Sequence, residues 1–353
     1  MSKIAVLTSG GDSPGMNAAV MSVARSAALL DMPLIGIKRG FNGLIGKYPD
    51  PEDNFVELSL NLLLDIADLP GTYLRTARCV EFKEEEYQKK GADFLRSLDV
   101  QGLVVIGGDG SLRGAQALCK QGIACIGIPG TIDNDLGYTE MSLGFDTAVN
   151  VCVEAIRAIR ATSRSHDRPH VVEVMGRNCG DIALTAAQST GCEIVIVPEV
   201  KNWEVSDISR RLNNLIEKGN TRATVVVAEG AWRTMADFDY VSFLKDRGVK
   251  GVFEGERINA VNFAKVLQEM ASENGANVRA TVVGYTQRGH APTARDGAFA
   301  FEAGAMAVNL LKHNISNQVI GVRNGRTFHM PLDTAINARP HFDRRMFNMV
   351  NAL

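Results

Sequence analysis

The chain has 353 residues, 45% of them hydrophobic and 22% charged, with a formal net charge of −2 at pH 7. This length and composition predict a soluble α/β enzyme of two domains, and the weak net charge argues against a general attraction to nucleic acid or an anionic membrane. The six cysteines form no C-x-x-C pair, which indicates reduced thiols. The first apolar run is too short for a signal peptide and no stretch approaches a membrane span, so we predict a cytoplasmic protein.

Short, continuous, β-branched runs recur along the chain and predict buried parallel strands. They are Ile4–Leu7, Leu34–Ile37, Leu103–Ile106, Ala124–Ile128, Val171–Val174, Ile194–Val197, Thr224–Ala228 and Ala280–Val283. Helical patterns between them include Met16–Leu30, Glu84–Leu98, Asp146–Arg160, Val205–Lys218 and Arg257–Glu273. This alternation indicates βαβ units and a mainly parallel α/β fold. The polar stretch Trp232–Gly275 predicts additional surface helices.

Two loops have the residues that phosphate and a metal require. Thr8–Asn17 (TSGGDSPGMN) follows the first strand and opens a helix, so its glycines and free N–H groups can approach an anion. Gly107–Ser111 (GGDGS) follows the third strand and adds Asp109, a carboxylate suited to Mg²⁺ shared with substrate phosphates. The alternative for the first loop is an ordinary glycine turn, and the alternative for Asp109 or Ser111 is that it caps the following helix.

A third loop, Pro129–Asp135 (PGTIDND), follows the next predicted strand. Because consecutive parallel strands end at one edge of a sheet, we expect this loop to lie beside Gly107–Ser111. Its two carboxylates, Asp133 and Asp135, can divide the work, one taking a proton while the other faces a metal. The structural alternative is an Asx turn. Phosphate, metal and base at one edge predict phosphoryl transfer.

Six arginines, four of them at strand ends or in adjoining turns, are candidate ligands for phosphate oxygens, and one glutamate is a candidate acceptor for sugar hydroxyls. The alternative for each arginine is a solvated surface charge, and for the glutamate a capping or structural role. The candidates are Arg75, Arg78, Arg168, Arg177, Arg279, Arg288 and Glu229.

Six segments together resemble the bacterial-type ATP-dependent 6-phosphofructokinases, in the family's order: Thr8–Asn17, Gly107–Ser111, Pro129–Asp135, Val171–Gly180, Gly191–Glu193 and Arg279–Gly289. The resemblance implies two Rossmann-like three-layer domains with mainly parallel sheets. It implies a nucleotide and Mg²⁺ domain at 1–143 plus 286–336, and a sugar-phosphate domain at 144–285 plus 337–353 with an extra segment near 232–275. The implied reaction is the glycolytic transfer of the ATP γ-phosphoryl group to the 1-hydroxyl of fructose 6-phosphate.

The same resemblance implies roles for the matching residues. Asp133 is the implied general base and Asp109 the implied Mg²⁺ ligand, with Asp135 reaching the ion through water. The catalytic set is Asp133, Arg78, Thr131 and Arg177, with Arg78 near the transferring phosphoryl group. The nucleotide set is Gly11, Arg78, Cys79, Gly108, Asp109, Gly110 and Ser111. The sugar-phosphate set is Thr131, Ile132, Asp133, Arg168, Met175, Gly176, Arg177, Glu229, Arg279, Tyr285 and Arg288. Arg168 and Arg279 match arginines that reach into a neighbouring subunit, which implies a homo-oligomer, usually a tetramer.

Two departures from the family pattern affect specificity and regulation. Tyr285 replaces a histidine that contacts the sugar 6-phosphate, so the identity of the sugar substrate stays open. A tyrosine hydroxyl can still donate a hydrogen bond to the phosphate, and His290 is nearby in sequence. In the family's effector pocket, some residues match and several cations are lost, so we expect weak regulation by ADP and phosphoenolpyruvate. The matching residues are Arg25, Arg160 and Gly191–Glu193, and the losses are at Met21, Leu60, Asn220 and Thr221.

The nearest alternative is a pyrophosphate-dependent phosphofructokinase, which typically has Asp and Lys at the positions of Gly110 and Gly130. Both glycines favour ATP, because a side chain there would fill nucleotide space or add a charge beside the phosphates. Another sugar-phosphate kinase is a further alternative. NAD and lipid kinases with a GGDG loop lack the TIDND and MGR motifs. A catalytically inactive regulatory subunit is disfavoured because Asp109, Asp133 and Arg177 are all present.

Overall fold

The computed structural model describes residues 3–255, 257–271 and 275–352. The chain forms two compact units. The first consists of the residues up to Ala148 together with Arg288–His341, and the second of Val149–Gln287 together with the residues from Phe342 onward. The family resemblance predicts domain boundaries between residues 143 and 144, between 285 and 286, and between 336 and 337. The assignment of nucleotide to one half and sugar phosphate to the other stays a prediction.

All eight predicted strands form, with ends that shift by a few residues. Three further strands, Phe55–Glu57, Gln318–Arg323 and Arg326–Pro331, are absent from the sequence prediction. The bounds are β1 Lys3–Ser9, β2 Leu34–Ile37, β3 Phe55–Glu57, β4 Val100–Gly107, β5 Ala124–Pro129, β6 His170–Val174, β7 Ile194–Ile196, β8 Thr224–Ala228, β9 Arg279–Val282, β10 Gln318–Arg323 and β11 Arg326–Pro331.

Each unit is built on one sheet. The sheet of the first unit has the strand order β11-β10-β5-β4-β1-β2-β3, and its neighbours are parallel except for β10 with β11 and β2 with β3. The sheet of the second unit has the order β7-β8-β6-β9 and is parallel throughout the described residues. The fold is therefore α/β with mainly parallel sheets, as predicted.

Helices flank both sheets, and five of them correspond to the predicted helical patterns. The bounds are α1 Met16–Leu29, α2 Phe41–Leu44, α3 Pro51–Asn54, α4 Leu60–Leu64, α5 Glu85–Ser97, α6 Asp109–Lys120, α7 Phe145–His166, α8 Asp181–Thr190, α9 Val205–Glu217, α10 Tyr240–Asp246, α11 Ala260–Met270, α12 Ala294–Lys312, α13 Leu332–Ala335 and α14 Arg344–Val350. The end of the predicted helix Arg257–Glu273 lies outside the described residues. Across the described ranges, no helix has both the length and the apolar character that crossing a membrane would need.

The prediction of surface helices in the stretch 232–275 is wrong for α11. Phe263, Val266 and Leu267 are fully buried, and α11 packs on β6 and β9. The helix carries an apolar face that covers the parallel sheet of the second unit, because such a sheet must be covered on both faces. This stretch therefore contributes to the core of its unit.

The core of the first unit lies on both faces of its sheet. Along β1, Ile4 and Val6 pack with residues of α1 and α12, whereas Ala5 and Leu7 pack with residues of α5 and α6. This alternation follows from the two-residue period of a strand, and it gives three layers with helices on both sides.

A buried carboxylate fastens the start of α7 to the start of α12. Asp296 is fully buried; its Oδ1 accepts a hydrogen bond from the Gly144 N–H at 2.8 Å. Its Oδ2 accepts from the Thr147 N–H at 2.8 Å and from the Thr147 hydroxyl at 2.6 Å. Burial raises the pKa of Asp296, and these three donors oppose that effect. The carboxylate thus satisfies free N–H groups in the first turn of α7.

Replacing Asp296 with asparagine is expected to lower the free energy of unfolding by about 2–3 kcal/mol, because the amide turns a donor toward buried N–H groups. Urea denaturation followed by circular dichroism measures this change. Asp93→Asn, at an exposed position on α5, is the control and should change stability by less than about 0.5 kcal/mol. Equal effects of the two changes would contradict the anchoring role.

Candidate active site

The carboxyl ends of β1, β4 and β5 meet at one edge of the first sheet. In the parallel register, Ser9 is opposite Gly107, and Gly107 is opposite Pro129. The loops Thr8–Asn17, Gly107–Ser111 and Pro129–Asp135 therefore begin side by side. The expectation that the acidic loop lies next to the GGDGS loop is confirmed.

Close approach of neighbouring atoms explains the glycine at position 107. A Cβ atom on Gly107 would lie 2.5 Å from the Ser111 Oγ and 2.6 Å from the Ser9 carbonyl oxygen, so no side chain fits there. A Cβ atom on Gly108 would lie 3.4 Å from the Thr131 Cβ, an ordinary contact distance. The second and third loops thus lie in contact at Gly108 and Thr131, whereas Gly107 permits the close approach of the first loop.

The GGDGS loop turns directly into α6, whose first residue is Asp109. The capping position is occupied by Gly108 without a side-chain hydrogen bond, so the alternative that Asp109 or Ser111 is the helix cap is wrong. The Asp109 Oδ2 accepts a hydrogen bond from the Arg113 Nε at 2.9 Å, and both side chains are about half exposed. Asp109 therefore stands at a helix N-terminus, where free N–H groups also favour phosphate.

The acidic loop is held by the residues next to its carboxylates. Ile132 is fully buried, so only its backbone is available to a ligand. Asn134 has a φ of 55°, in the left-handed region that asparagine tolerates, and its Oδ1 accepts from the Ser142 N–H at 3.0 Å. The Thr131 Oγ1 accepts from the Asp133 N–H at 3.2 Å. Asn134 thus adopts the left-handed conformation of the turn and accepts the hydrogen bond that fixes it. Asp133 lies beside it and is partly exposed.

Carboxylate oxygens at this edge suit a magnesium ion. Asp109 follows β4, whereas Asp133 and Asp135 follow the adjacent strand β5. Among residues 3–255, 257–271 and 275–352, no group of three or more His, Cys, Asp or Glu side chains forms a ready-made metal site. Mg²⁺ commonly binds through one or two carboxylates plus substrate phosphates, so this donor set fits it.

Another segment is tied to the same edge by hydroxyl groups. The Thr8 Oγ1 donates to the Arg75 carbonyl at 2.9 Å, and the Thr76 Oγ1 donates to the Gly10 carbonyl at 2.9 Å. The segment continues to Arg78, which is exposed, and to Cys79, whose thiol pKa is raised by burial. The predicted nucleotide residues of this segment therefore lie in the first unit, next to the first loop.

Arg288 lies against the first loop. Its Nη1 donates to the Asp12 carbonyl at 2.5 Å, and a Cβ atom on Gly11 would lie 3.0 Å from the same Nη1. A guanidinium group thus covers the backbone of Gly11, and a side chain at this position would have to displace it slightly. The sequence predicts Arg288 to be a sugar-phosphate ligand, and that role stays a prediction.

The second unit forms a comparable edge from the ends of β6, β8 and β9. Val174 is opposite Ala228, and Glu173 is opposite Val282, so the three strands end together. Three segments follow: Met175–Gly180, the short helix Glu229–Arg233 and the short helix Gly284–Gln287. The edge thus gathers predicted sugar-phosphate residues: Met175, Gly176, Arg177, Glu229 and Tyr285. Tyr285 is 83% exposed, which leaves its hydroxyl accessible.

Gln287 joins two of these segments and was missed by sequence reasoning. It is fully buried, and its Oε1 accepts from the Met175 N–H at 3.2 Å and from the Cys152 Sγ at 3.1 Å. Its Nε2 donates to the Gly284 carbonyl at 3.0 Å. The sequence signal for this role is that Gln287 is a polar residue inside the Arg279–Gly289 motif to which no substrate contact is assigned.

Arg168 and Arg279 stand at the opposite edge of the second sheet. Arg279 begins β9 and is opposite His170, the first residue of β6, and Arg168 comes just before β6. Five strand residues separate this edge from Arg177, a span of about 16 Å. The unit therefore does not bring these two arginines together with Arg177 and Glu229.

Three residues of the predicted effector pocket, Arg160, Glu193 and Asn220, line a cavity of about 200 Å³ together with Arg164 and Arg222. The Glu193 carboxylate pairs with Arg160 at 3.0 Å and accepts from the Thr224 N–H at 2.8 Å. The sequence pattern does not identify Arg164 and Arg222 as pocket residues. Their positive charges lie in the region where Asn220 and Thr221 replace cationic residues of the family pattern. Weak effector regulation stays a prediction.

Comparison with known proteins agrees with these features. The family model described as phosphofructokinase matches residues 3–311. The chain is 41% identical over 353 residues to the ATP-dependent 6-phosphofructokinase 1 of Clostridium perfringens and 42% identical to the ATP-dependent 6-phosphofructokinase of Clostridium tetani, covering 100% of this chain and 99% of each relative. The solved structure of phosphofructokinase from Saccharomyces cerevisiae superposes with a TM-score of 0.77 at 29% identity over 95% of this chain, which spans 45% of the yeast chain. The chain belongs to the phosphofructokinase family.

Proposed function

We propose that this protein is an ATP-dependent 6-phosphofructokinase, which transfers the γ-phosphoryl group of ATP to the 1-hydroxyl of fructose 6-phosphate and yields fructose 1,6-bisphosphate and ADP. One observation carries the proposal: the GGDGS and PGTIDND loops leave adjacent parallel strands, so Asp109 and Asp133 stand at one sheet edge. Full-length relatives named for this activity support it.

Asp133 is the proposed general base, which takes the proton of the attacking sugar hydroxyl. Asp109 is the proposed ligand of Mg²⁺, and Asp135 contacts the ion through water. When bound, the ion neutralises charge on the nucleotide phosphates and orients them for transfer. Arg78 supplies positive charge near the transferring group, while the N–H groups at the start of α6 and α1 face the phosphates.

The sugar phosphate is proposed to bind the edge of the second unit. Arg177 binds phosphate oxygens, Glu229 accepts from sugar hydroxyls, and Tyr285 donates to the 6-phosphate in place of a histidine. Thr131 and Arg288 are further proposed ligands, together with the backbone of Met175, Gly176 and Ile132.

Arg168 and Arg279 are proposed to complete the site of a neighbouring subunit, usually within a tetramer. The support is their position at the amino edge of the second sheet, about 16 Å along the strands from Arg177. Self-association is therefore part of the proposed function, while nucleic acid and membrane are not proposed partners. The cytoplasmic location stays a prediction.

A coupled spectrophotometric assay of fructose 1,6-bisphosphate formation tests the function. Fructose 6-phosphate with ATP should turn over, whereas pyrophosphate should replace ATP poorly. Turnover with pyrophosphate but not with ATP would favour the pyrophosphate-dependent alternative. No turnover with either donor would favour a catalytically inactive subunit. A higher kcat/KM for another sugar phosphate would reject fructose 6-phosphate as the preferred acceptor.

Replacing Asp109 with asparagine is expected to raise the Mg²⁺ concentration for half-maximal activity by about tenfold or more, because the amide removes the charge that holds the ion. Binding of Mn²⁺ to the enzyme with ATP, measured by electron paramagnetic resonance, should weaken in parallel. Asp93→Asn on the exposed face of α5 is the control. An unchanged metal requirement and unchanged Mn²⁺ binding would contradict the assignment.

A further inference from the structure

The turn after β6, which carries Arg177, is fastened by the short helix after β8. The two strands are parallel neighbours, and their last residues, Val174 and Ala228, are directly opposite. The Gly230 N–H donates to the Gly176 carbonyl at 3.0 Å, which joins the two connections just beyond the sheet. The position of Arg177 thus depends on a segment more than fifty residues further along the chain.

Two glycines allow this contact. A Cβ atom on Gly230 would lie 2.1 Å from the Arg177 carbonyl oxygen, so only glycine permits the approach. Gly176 has a φ of 132°, and a Cβ atom there would lie 2.5 Å from the Cys179 carbonyl oxygen. The peptide that follows Arg177 is therefore confined on one side by its own turn and on the other by the helix Glu229–Arg233.

Arg233 ends that helix and reaches back to the same turn. Its Nη2 donates to the Arg177 carbonyl oxygen, and the same nitrogen lies 3.2 Å from the Asn178 Oδ1. Arg177, Asn178 and Arg233 are all exposed. One charged group thus binds both the backbone and a side chain of the turn that presents Arg177.

We infer that Arg233 is a positioning residue for the sugar-phosphate site: its guanidinium group holds the Arg177–Asn178 turn in the conformation that presents Arg177 to the substrate. This inference rests on the proposed function. Without Arg233, the hydrogen bond from the Gly230 N–H to the Gly176 carbonyl still joins the two connections, so the fold should persist. The turn then has to be ordered when the sugar phosphate binds, and the free-energy cost of this ordering weakens substrate binding.

Kinetics of Arg233→Met, Arg233→Lys and a matched control test the inference. Arg247→Met is the control, because Arg247 lies in the same stretch of the chain and also donates to a carbonyl, that of Phe243 at 3.0 Å. In Arg233→Met, the KM for fructose 6-phosphate should rise by roughly tenfold, the size expected when charge-assisted hydrogen bonds are lost. The kcat, the KM for ATP and the Tm should stay near those of the control. Arg233→Lys, which keeps one donor, should fall between the two.

Hydrogen–deuterium exchange tests the same inference without turnover. Amides in residues 175–180 should exchange faster in Arg233→Met than in the wild type or in Arg247→Met. An unchanged KM for fructose 6-phosphate, or unchanged exchange in this turn, would overturn the positioning role. A fall in kcat together with a fall in Tm would indicate a general structural role instead. If the wild type itself gives no product from fructose 6-phosphate and ATP, the proposed function fails, and the exchange result still decides whether Arg233 holds the turn.

Discussion

An Asp133→Ser variant is expected to retain binding of fructose 6-phosphate and ATP but to lose about 10²–10⁴-fold in kcat, the usual contribution of a general base. The loop should survive the change, because Ile132 is anchored in the core and the side chain of Asn134 holds Ser142. The Thr131 hydroxyl bonds the backbone N–H of residue 133 rather than its side chain. Steady-state kcat and equilibrium binding of each substrate, measured separately, distinguish lost chemistry from lost affinity.

Asp135→Ser is the matched control, since it removes a carboxylate from the same loop two residues further on. Its proposed contact with Mg²⁺ runs through water, so it should raise the metal requirement and lower kcat much less than Asp133→Ser does. Retention of kcat within about tenfold in Asp133→Ser would contradict the base assignment. An equal loss in both variants would mean that the loop needs both charges and that neither is specifically the base.

The edge of the first sheet could be predicted from sequence because its signals are local. Gly107–Ser111 and Pro129–Asp135 each follow an apolar run, and parallel strands place such loops together whatever lies elsewhere. The hairpin of β10 and β11 was missed although its turn, Asn324–Gly325, is a recognised hairpin signal. Both residues have positive φ, 51° and 68°. The flanking strands contain glycine, proline and charged residues, which obscure the strand pattern on either side of the turn.

Contacts between distant segments could not be predicted. The guanidinium of Arg288 lies on the backbone of Gly11, 277 positions earlier in the chain, and the sequence does not indicate this contact. Gln287 and Arg233 both hold the turn that follows β6, and the immediate sequence of neither residue shows which segment it contacts. The polar stretch that contains α11 suggested exposure, whereas the apolar face of the helix covers a sheet. Such roles depend on tertiary packing, which overrides local composition.

The two glycines that favour ATP differ in their surroundings. A Cβ atom on Gly130 would lie 3.1 Å from the Ile106 Cγ2 and 3.1 Å from the Met16 Cε, so a lysine there would strain the core as well as add charge. A Cβ atom on Gly110 would meet no neighbouring atom within 4 Å, and this glycine is exposed in the first turn of α6. Only Gly110 therefore allows the effect of charge on the phosphoryl donor to be tested in an intact fold.

Replacing Gly110 with aspartate is expected to lower kcat/KM for ATP by about a hundredfold. A carboxylate about 5 Å from a phosphate charge, at an effective dielectric constant near 20, opposes binding by about 3 kcal/mol. The fold should persist, because the side chain enters open space and an acidic group suits a helix N-terminus. The same coupled assay, run with varied ATP and with varied pyrophosphate, measures the change for each donor.

Gly110→Asn separates charge from size, since asparagine has nearly the same shape as aspartate but is neutral. It should retain at least about tenfold more activity with ATP than Gly110→Asp does, and raising the salt concentration should narrow the difference because salt screens exposed charges. Equal losses in the two variants would show that the position excludes any side chain for steric reasons. The preference for ATP would then rest on the shape of the GGDGS loop and not on the absence of a negative charge beside the phosphates.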